Sequence, residues 1–137
     1  MTLVDTNVLL DVIANDRHWF EWSLRQLARR NTIGPVLIND VIYAEISARM
    51  DTEAAVETAL ASLEVRFDRL PTGALFLAGK VYKRYRSSGG IRSGVLPDFF
   101  IGAHAQTLGC PVLTRDVRRF RTYFPDVLLI TPDTASP

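Results

Sequence analysis

Four acids stand where short apolar runs give way to helix-favouring segments, or just inside such segments. Asp5 follows "TLV", Glu45 lies in "IYAEIS", Asp98 in "LPDFF", and Asp116 follows "PVLT". Carboxylates gathered in one place repel one another unless protons or a hard divalent cation neutralise them. Mg²⁺ and Mn²⁺ prefer oxygen ligands, and Mg²⁺ keeps several waters while phosphate oxygens complete its shell. Carboxylates, a metal and a nearby basic surface together suggest phosphodiester hydrolysis, the metal activating a water and stabilising charge on the phosphate. Singly, an Asp at a strand end is as readily a helix cap. The joint placement of four acids, with polar neighbours, carries the chemical reading.

The basic residues supply the rest of that chemistry. Net charge is +1, but Lys and Arg crowd into "KVYKRYRSSGGIR" (80–92) and "RDVRRFR" (115–121). With four acids gathered in a metal site, 16 bases face 11 other acids, leaving a surface at +5 that could attract a polyanion. Arg84 and Arg86, beside Lys80 and Lys83, form either a solvated face or a track for an RNA backbone. Arg115 and Arg118 are further RNA-contact candidates, with Arg115 equally able to pair with acids.

These residues need elements to position them. "TLV" reads as a short buried strand, after which Thr6 or Asn7 can cap a helix through "VLLDVIAN". Asp16 can cap a second helix, "RHWFEWSLRQLARR", with Trp19, Leu24 and Leu27 as its apolar stripe. "GPVLI" (34–38) is the next strand, followed by a helix from Asn39 or Asp40 and another from Thr52, with Ala55, Val56, Ala59 and Leu63 on one face. "VRF" (65–67) is a strand, and residues 73–86 form a helix. "SSGGIRSG" (87–94) has the composition of a flexible surface loop. Pro97 and Asp98 start a helix that Gly109 ends, before "PVLT", a short helix over 118–124, the strand "VLLI" (127–130) and a tail over 131–137.

Short, apolar, non-alternating strands between helices are the pattern of a parallel sheet buried between helix layers. In such sheets the site lies beyond the carboxyl ends of the strands, where Asp5 and Asp116 fall. The 137 residues suggest one domain spanning 1–137. The single cysteine, Cys110, excludes an internal disulfide and a cysteine-cluster metal site. No apolar run approaches membrane-spanning length, and no secretory signal is visible, so a cytoplasmic protein is expected.

Four stretches together, "LVDTNVLLDVI", the Glu of "IYAEIS", "LPDFFIGAHAQTLGCPVLTRD" and "FPDVLLI", resemble the PIN-domain ribonucleases, above all the VapC-type toxins of type II toxin–antitoxin pairs. The likeness spans nearly the whole chain. It implies a three-layer α/β/α sandwich with a mostly parallel, five-stranded sheet. It also implies a Mg²⁺- or Mn²⁺-dependent endoribonuclease, usually a homodimer, held inactive by a cognate antitoxin. The family's acidic quartet falls on Asp5, Glu45, Asp98 and Asp116. Asp5 and Asp98 look like the principal metal ligands, and Glu45 and Asp116 like supporting ligands or groups that place the attacking water. Thr6, Asn7 and Thr114 match positions that orient those carboxylates. Arg118 and Arg119 stand where some relatives carry a further acid, so one metal or two remains open. The early helices of the toxins form a groove for the antitoxin, which makes Trp19, Phe20 and Trp22 the candidate partner surface.

Competing readings are fewer. A catalytically silent PIN module that only binds RNA or protein need not keep all four acids. A dehalogenase-like phosphatase wants a second Asp where this chain has Asn7. A receiver domain wants paired early acids and a late Lys. His18 and His104 lie beside no Ser or Cys nucleophile motif. His104 sits about 600° around a helix from Asp98, turned away from it, and reads as packing or surface. Asp11 reads as solvent-facing or paired with a base, outside the site.

Overall fold

The protein is described here by a computed structural model covering residues 1–91 and 96–133, the side chain of Arg119 excepted. Five strands and seven helices alternate along these residues: β1 (Thr2–Val4), α1 (Thr6–Ile13), α2 (Phe20–Ile33), β2 (Val36–Ile38), α3 (Asp40–Ser47), α4 (Glu53–Ser62), β3 (Val65–Phe67), α5 (Thr72–Ser87), α6 (Leu96–Leu108), β4 (Val112–Leu113), α7 (Arg118–Tyr123) and β5 (Leu129–Ile130).

The strands form one sheet in the order β3-β2-β1-β4-β5, every neighbouring pair parallel. This is an α/β architecture with all five strands parallel, where the resemblance implied a mostly parallel sheet. Residues of the three inner strands are apolar on both faces and buried, Thr2 aside. Parallel sheets covered by helices require this composition. Each fully buried Leu, Ile, Val or Phe contributes about 1.5–3 kcal/mol. Right-handed crossovers place α1–α4 on one face of the sheet and α5–α7 on the other. β2 and β3 extend from β1 to one side, whereas β4 and β5 extend to the other. The chain therefore reverses direction across the sheet between β1 and β4, and a crevice opens at that point beyond their carboxyl ends.

Two glycines hold α6 in place. Gly109 takes φ +68°, a left-handed conformation that closes the helix: its N–H bonds to the Gln106 carbonyl and that of Cys110 to Ala105. Gly102 lies so close to the Phe124 ring that any side chain would collide with it.

Several expected boundaries move. Asp5, not Thr6 or Asn7, caps α1, because its carboxylate accepts the Thr6 N–H. Helix α2 begins at Phe20 and runs on to Ile33. Asp16 instead folds the preceding turn, accepting the N–H groups of His18 and Trp19, which hold its carboxyl below the usual range. Leu24 is exposed while Ser23 and Gln26 are buried, so the buried face of α2 runs through Ser23, Gln26 and Leu27. In α4 the expected face of Ala55, Val56, Ala59 and Leu63 is turned inward, Val56 buried and the other three half-buried, and Leu60 joins it as a second buried residue. Helix α5 extends through Ser87 and α6 starts at Leu96. Of the expected loop, Arg92–Gly94 lies outside the described residues, as does 134–137 of the expected tail. Thr131, at the start of that tail, is fully buried.

Candidate active site

Asp5 enters the crevice because the β1 ladder carries it there. Its N–H bonds to the Leu113 carbonyl of β4 at 2.9 Å, and it then turns the chain into α1. Its Oδ1 accepts the Thr6 N–H at 2.7 Å. Its Oδ2 accepts the Thr114 hydroxyl at 2.7 Å and the Asn7 amide at 3.3 Å. Asp5 is 6% exposed. Burial pushes its carboxyl up from 3.8 to about 7; the nearby charges of Asp98 and Glu45 add to the rise, while the Thr114 and Thr6 hydrogen bonds oppose it.

The neighbouring residues fit around this carboxyl. Thr6 turns its hydroxyl to Glu45 on α3, donating to Oε1 at 2.7 Å. Asn7 accepts the Arg115 N–H through Oδ1 at 3.3 Å and so ties α1 to the segment after β4. Thr114 spends its single hydroxyl proton on Asp5 and accepts the Asp116 N–H at 3.0 Å. Asp98 stands in the first turn of α6, close enough for its charge to act on Asp5.

Asp116 is placed differently. Its backbone joins the Thr114 hydroxyl, but its carboxylate is exposed and accepts the Arg118 N–H at 3.3 Å. Among the described residues, no three His, Cys, Asp or Glu side chains close into a ready-made cation site. Asp5, Asp98 and Glu45 approach one another electrostatically without closing. Mutual repulsion opposes closure, and the two threonine hydroxyls satisfy Asp5 and Glu45 meanwhile.

The candidate RNA-contact arginines divide. Arg84, Arg86 and Arg118 are exposed, and Arg86 also donates to the Gly90 carbonyl at 2.8 Å. Arg115 grips Asp11 with Nε at 2.8 Å and Nη2 at 2.9 Å, and its guanidinium lies 5.0 Å over the Trp19 ring. Asp11 is buried and also accepts the Ser23 hydroxyl at 2.6 Å, so this ion pair locks α1, α2 and the segment after β4 together. Trp19, Phe20 and Trp22 are each partly exposed, with Trp19 edge-on to Trp22 at 6.0 Å.

The match to known proteins agrees with this layout. Residues 2–124 fit the family model of the PIN domain. The chain belongs to that family. No curated protein matches this PIN domain significantly. Among solved structures it is similar to VapBC2 from Rickettsia felis bound to a DNA fragment from their promoter (TM-score 0.70, 16% identity, 95% of this chain and 97% of that one). It is similar to a toxin–antitoxin complex from Klebsiella pneumoniae (TM-score 0.67, 19% identity, 96% and 98%). It is likewise similar to DNA-bound VapBC from Salmonella typhimurium (TM-score 0.69, 21% identity, 95% and 96%). At these identities the likeness is one of fold.

Sequence reasoning missed a second buried polar cluster in this PIN domain. His104 is fully buried on α6, between Asn39, 3.1 Å from its Nδ1, and Asp68, 2.9 Å from its Nε2. The available signal was the run "IGAHA", in which all five residues are buried. A ring there needs partners for both nitrogens.

Proposed function

We propose that this PIN domain is a divalent-metal-dependent endoribonuclease and the toxin half of a toxin–antitoxin pair. One observation carries the reading. At the reversal point of the sheet, burial, with the charges of Asp98 and Glu45 adding to it, pushes the Asp5 carboxyl up to about 7. Such a group calls for a positive charge beside it, and the donors gathered there are all oxygens, as Mg²⁺ and Mn²⁺ require. Asp5 and Asp98 would be the principal ligands, Glu45 a supporting ligand, and Asp116 a ligand from the rim. A bound metal supplies water activation and neutralises charge on the phosphodiester. The chain's own residues do the rest. Thr114 and Thr6 aim the Asp5 and Glu45 carboxylates, and Asn7 fixes the loop that carries Asp116. The exposed Arg84, Arg86 and Arg118 offer cations to the RNA backbone, whereas Arg115 is engaged by Asp11.

The toxin assignment draws on the family likeness and on three large aromatic side chains, Trp19, Phe20 and Trp22, left partly exposed for an antitoxin segment. A homodimer acting in the cytoplasm completes this reading; no helix among the described residues is long and apolar enough to cross a membrane. A second reading, a catalytically silent PIN module that binds RNA or protein, is favoured by the exposed Asp116 carboxylate, which accepts the Arg118 N–H. The deciding experiment incubates purified protein with cellular RNA, with and without Mg²⁺ or Mn²⁺. Metal-dependent cutting lost in Asp98→Asn supports the nuclease. Metal-independent cutting overturns the metal mechanism, and RNA binding without cutting supports the silent module.

A further inference from the structure

Asn39 and His104 each lie six residues from a candidate acid along the same helix segment. Asn39 caps α3, whose Glu45 follows it; Asp98 precedes His104 on α6. The Asn39 Oδ1 accepts the N–H groups of Val41 and Ile42, each at 3.1 Å. This double bond to the helix end leaves the amide Nδ2 turned to His104, so the ring Nδ1 must accept and the proton sits on Nε2, donating to Asp68. Asp68 in turn is tied to the sheet, its N–H bonding to the Ile38 carbonyl at the end of β2 at 2.8 Å. Asn39 and His104 are fully buried, and no buried side-chain polar atom among the described residues lacks a partner.

We infer that the Asn39–His104–Asp68 chain is a positioning brace that fixes the Glu45 helix against the Asp98 helix, and so sets the separation of acids on which divalent-cation affinity depends. This rests on the metal-nuclease reading of the site. The buried bond links the start of α3 directly to α6 at a depth where water offers neither group an alternative partner. Losing it would remove a directed hydrogen bond between the start of α3 and α6, and the apolar packing beside it tolerates sliding better than such a bond does. Supports of this indirect kind typically change metal affinity by about 10–100-fold when removed.

Asn39→Ser tests the brace, because a serine hydroxyl still caps α3 but cannot reach across to the ring. Two readouts are taken in the full chain. The first is the Mn²⁺ dissociation constant of the wild type, Asn39→Ser and Val56→Ala, the last a core change in α4 away from the site. The expected result is about tenfold weaker Mn²⁺ binding in Asn39→Ser and unchanged binding in Val56→Ala. Equal binding by all three, or equal weakening in both variants, overturns the inference. The second is the distance distribution between spin labels at Ala48 and Gln106 in a Cys110→Ser background, measured without metal. Broadening in Asn39→Ser supports the brace, and an unchanged distribution overturns it. If the wild type binds no Mn²⁺, the metal-nuclease reading fails and the label distances alone decide the brace.

Discussion

At the ends of β1 and β4, Asp5 lies buried under the charges of Asp98 and Glu45. At the ends of β2 and β3, Asn39, His104 and Asp68 close on one another with every buried polar atom matched. Both clusters sit on the carboxyl edge of one sheet, and each reaches α6. The second holds one carboxylate against an imidazole proton, and that carboxylate is 44% exposed, so burial costs it little. The first crowds like charges around a buried acid and answers them with two hydroxyls and an amide. A cluster built only for stability does not need that arrangement. The contrast separates a buried polar cluster whose partners all lie within the chain from one that leaves like charges unanswered, the mark of a candidate functional site.

The largest expected effect breaks the charged cluster directly. Asp5→Asn keeps an oxygen for the Thr6 N–H, and the Thr114 hydroxyl can rotate to accept from the new amide, so folding should persist. Metal-dependent RNA cleavage should fall by about a thousandfold or more, beyond the 10–100-fold typical of losing a ligand's support. Cleavage within tenfold of wild type would remove Asp5 from the reaction.

The next effect reads the same carboxyl through stability. In the metal-free protein its folded value, about 7, lies above the unfolded 3.8. The folded state therefore binds the proton more tightly. The Asp5 contribution is most favourable below about pH 4 and is lost as pH rises to about 7. The loss should be on the order of 4 kcal/mol. Urea unfolding from pH 4 to 8 should show this decline in wild type beyond that in Asp5→Asn, and added Mn²⁺ should reverse it. Parallel pH profiles for the two proteins would show that Asp5 is already ionised when folded.

The two clusters also differ in how far the sequence revealed them. Asp5 was legible because it follows a strand, and strand ends in a parallel sheet share an edge wherever the topology puts them, whereas Thr6, Asn7 and Thr114 entered the candidate site only through the family resemblance. Local signals also placed most helices, Gly109 and Thr52 among them. The cap of α1 was misassigned because Asp5 was weighed as a site candidate, and spacing alone does not show that the same carboxylate also caps the helix. His104 was read only as packing or surface. Its partners lie 65 and 36 residues away in sequence, and helical periodicity says nothing about contacts across a sheet. Asp11 was read as solvent-facing or paired with a base; the pairing holds, with Arg115 reaching it from beyond β4.

Thr114→Val probes the support of the charged cluster. The swap keeps the β4 shape and removes a hydrogen bond that favours the ionised Asp5 carboxyl. The proton should then be held above pH 7, and Mn²⁺ affinity at neutral pH should fall about 10–100-fold. Raising the pH should recover part of that loss, because metal must displace the proton. A loss that pH does not touch would mean that Thr114 acts on geometry alone.

The smallest effect is expected from repeating the acid-to-amide change in the other cluster. Asp68→Asn leaves an amide oxygen where Asp68 Oδ2 now accepts the His104 Nε2 proton. A neutral ring with its proton on Nε2 donates to that oxygen nearly as well as to a carboxylate. The partner is also half open to water, where charge adds little. Urea stability near neutral pH should change by less than about 1 kcal/mol, against the near-complete loss of cleavage from the same chemical change at Asp5. A cost of about 2 kcal/mol or more would mean that the ring carries a charge needing Asp68. The cluster would then be an ion pair, and the division between a satisfied and a charge-loaded end of the sheet would fail.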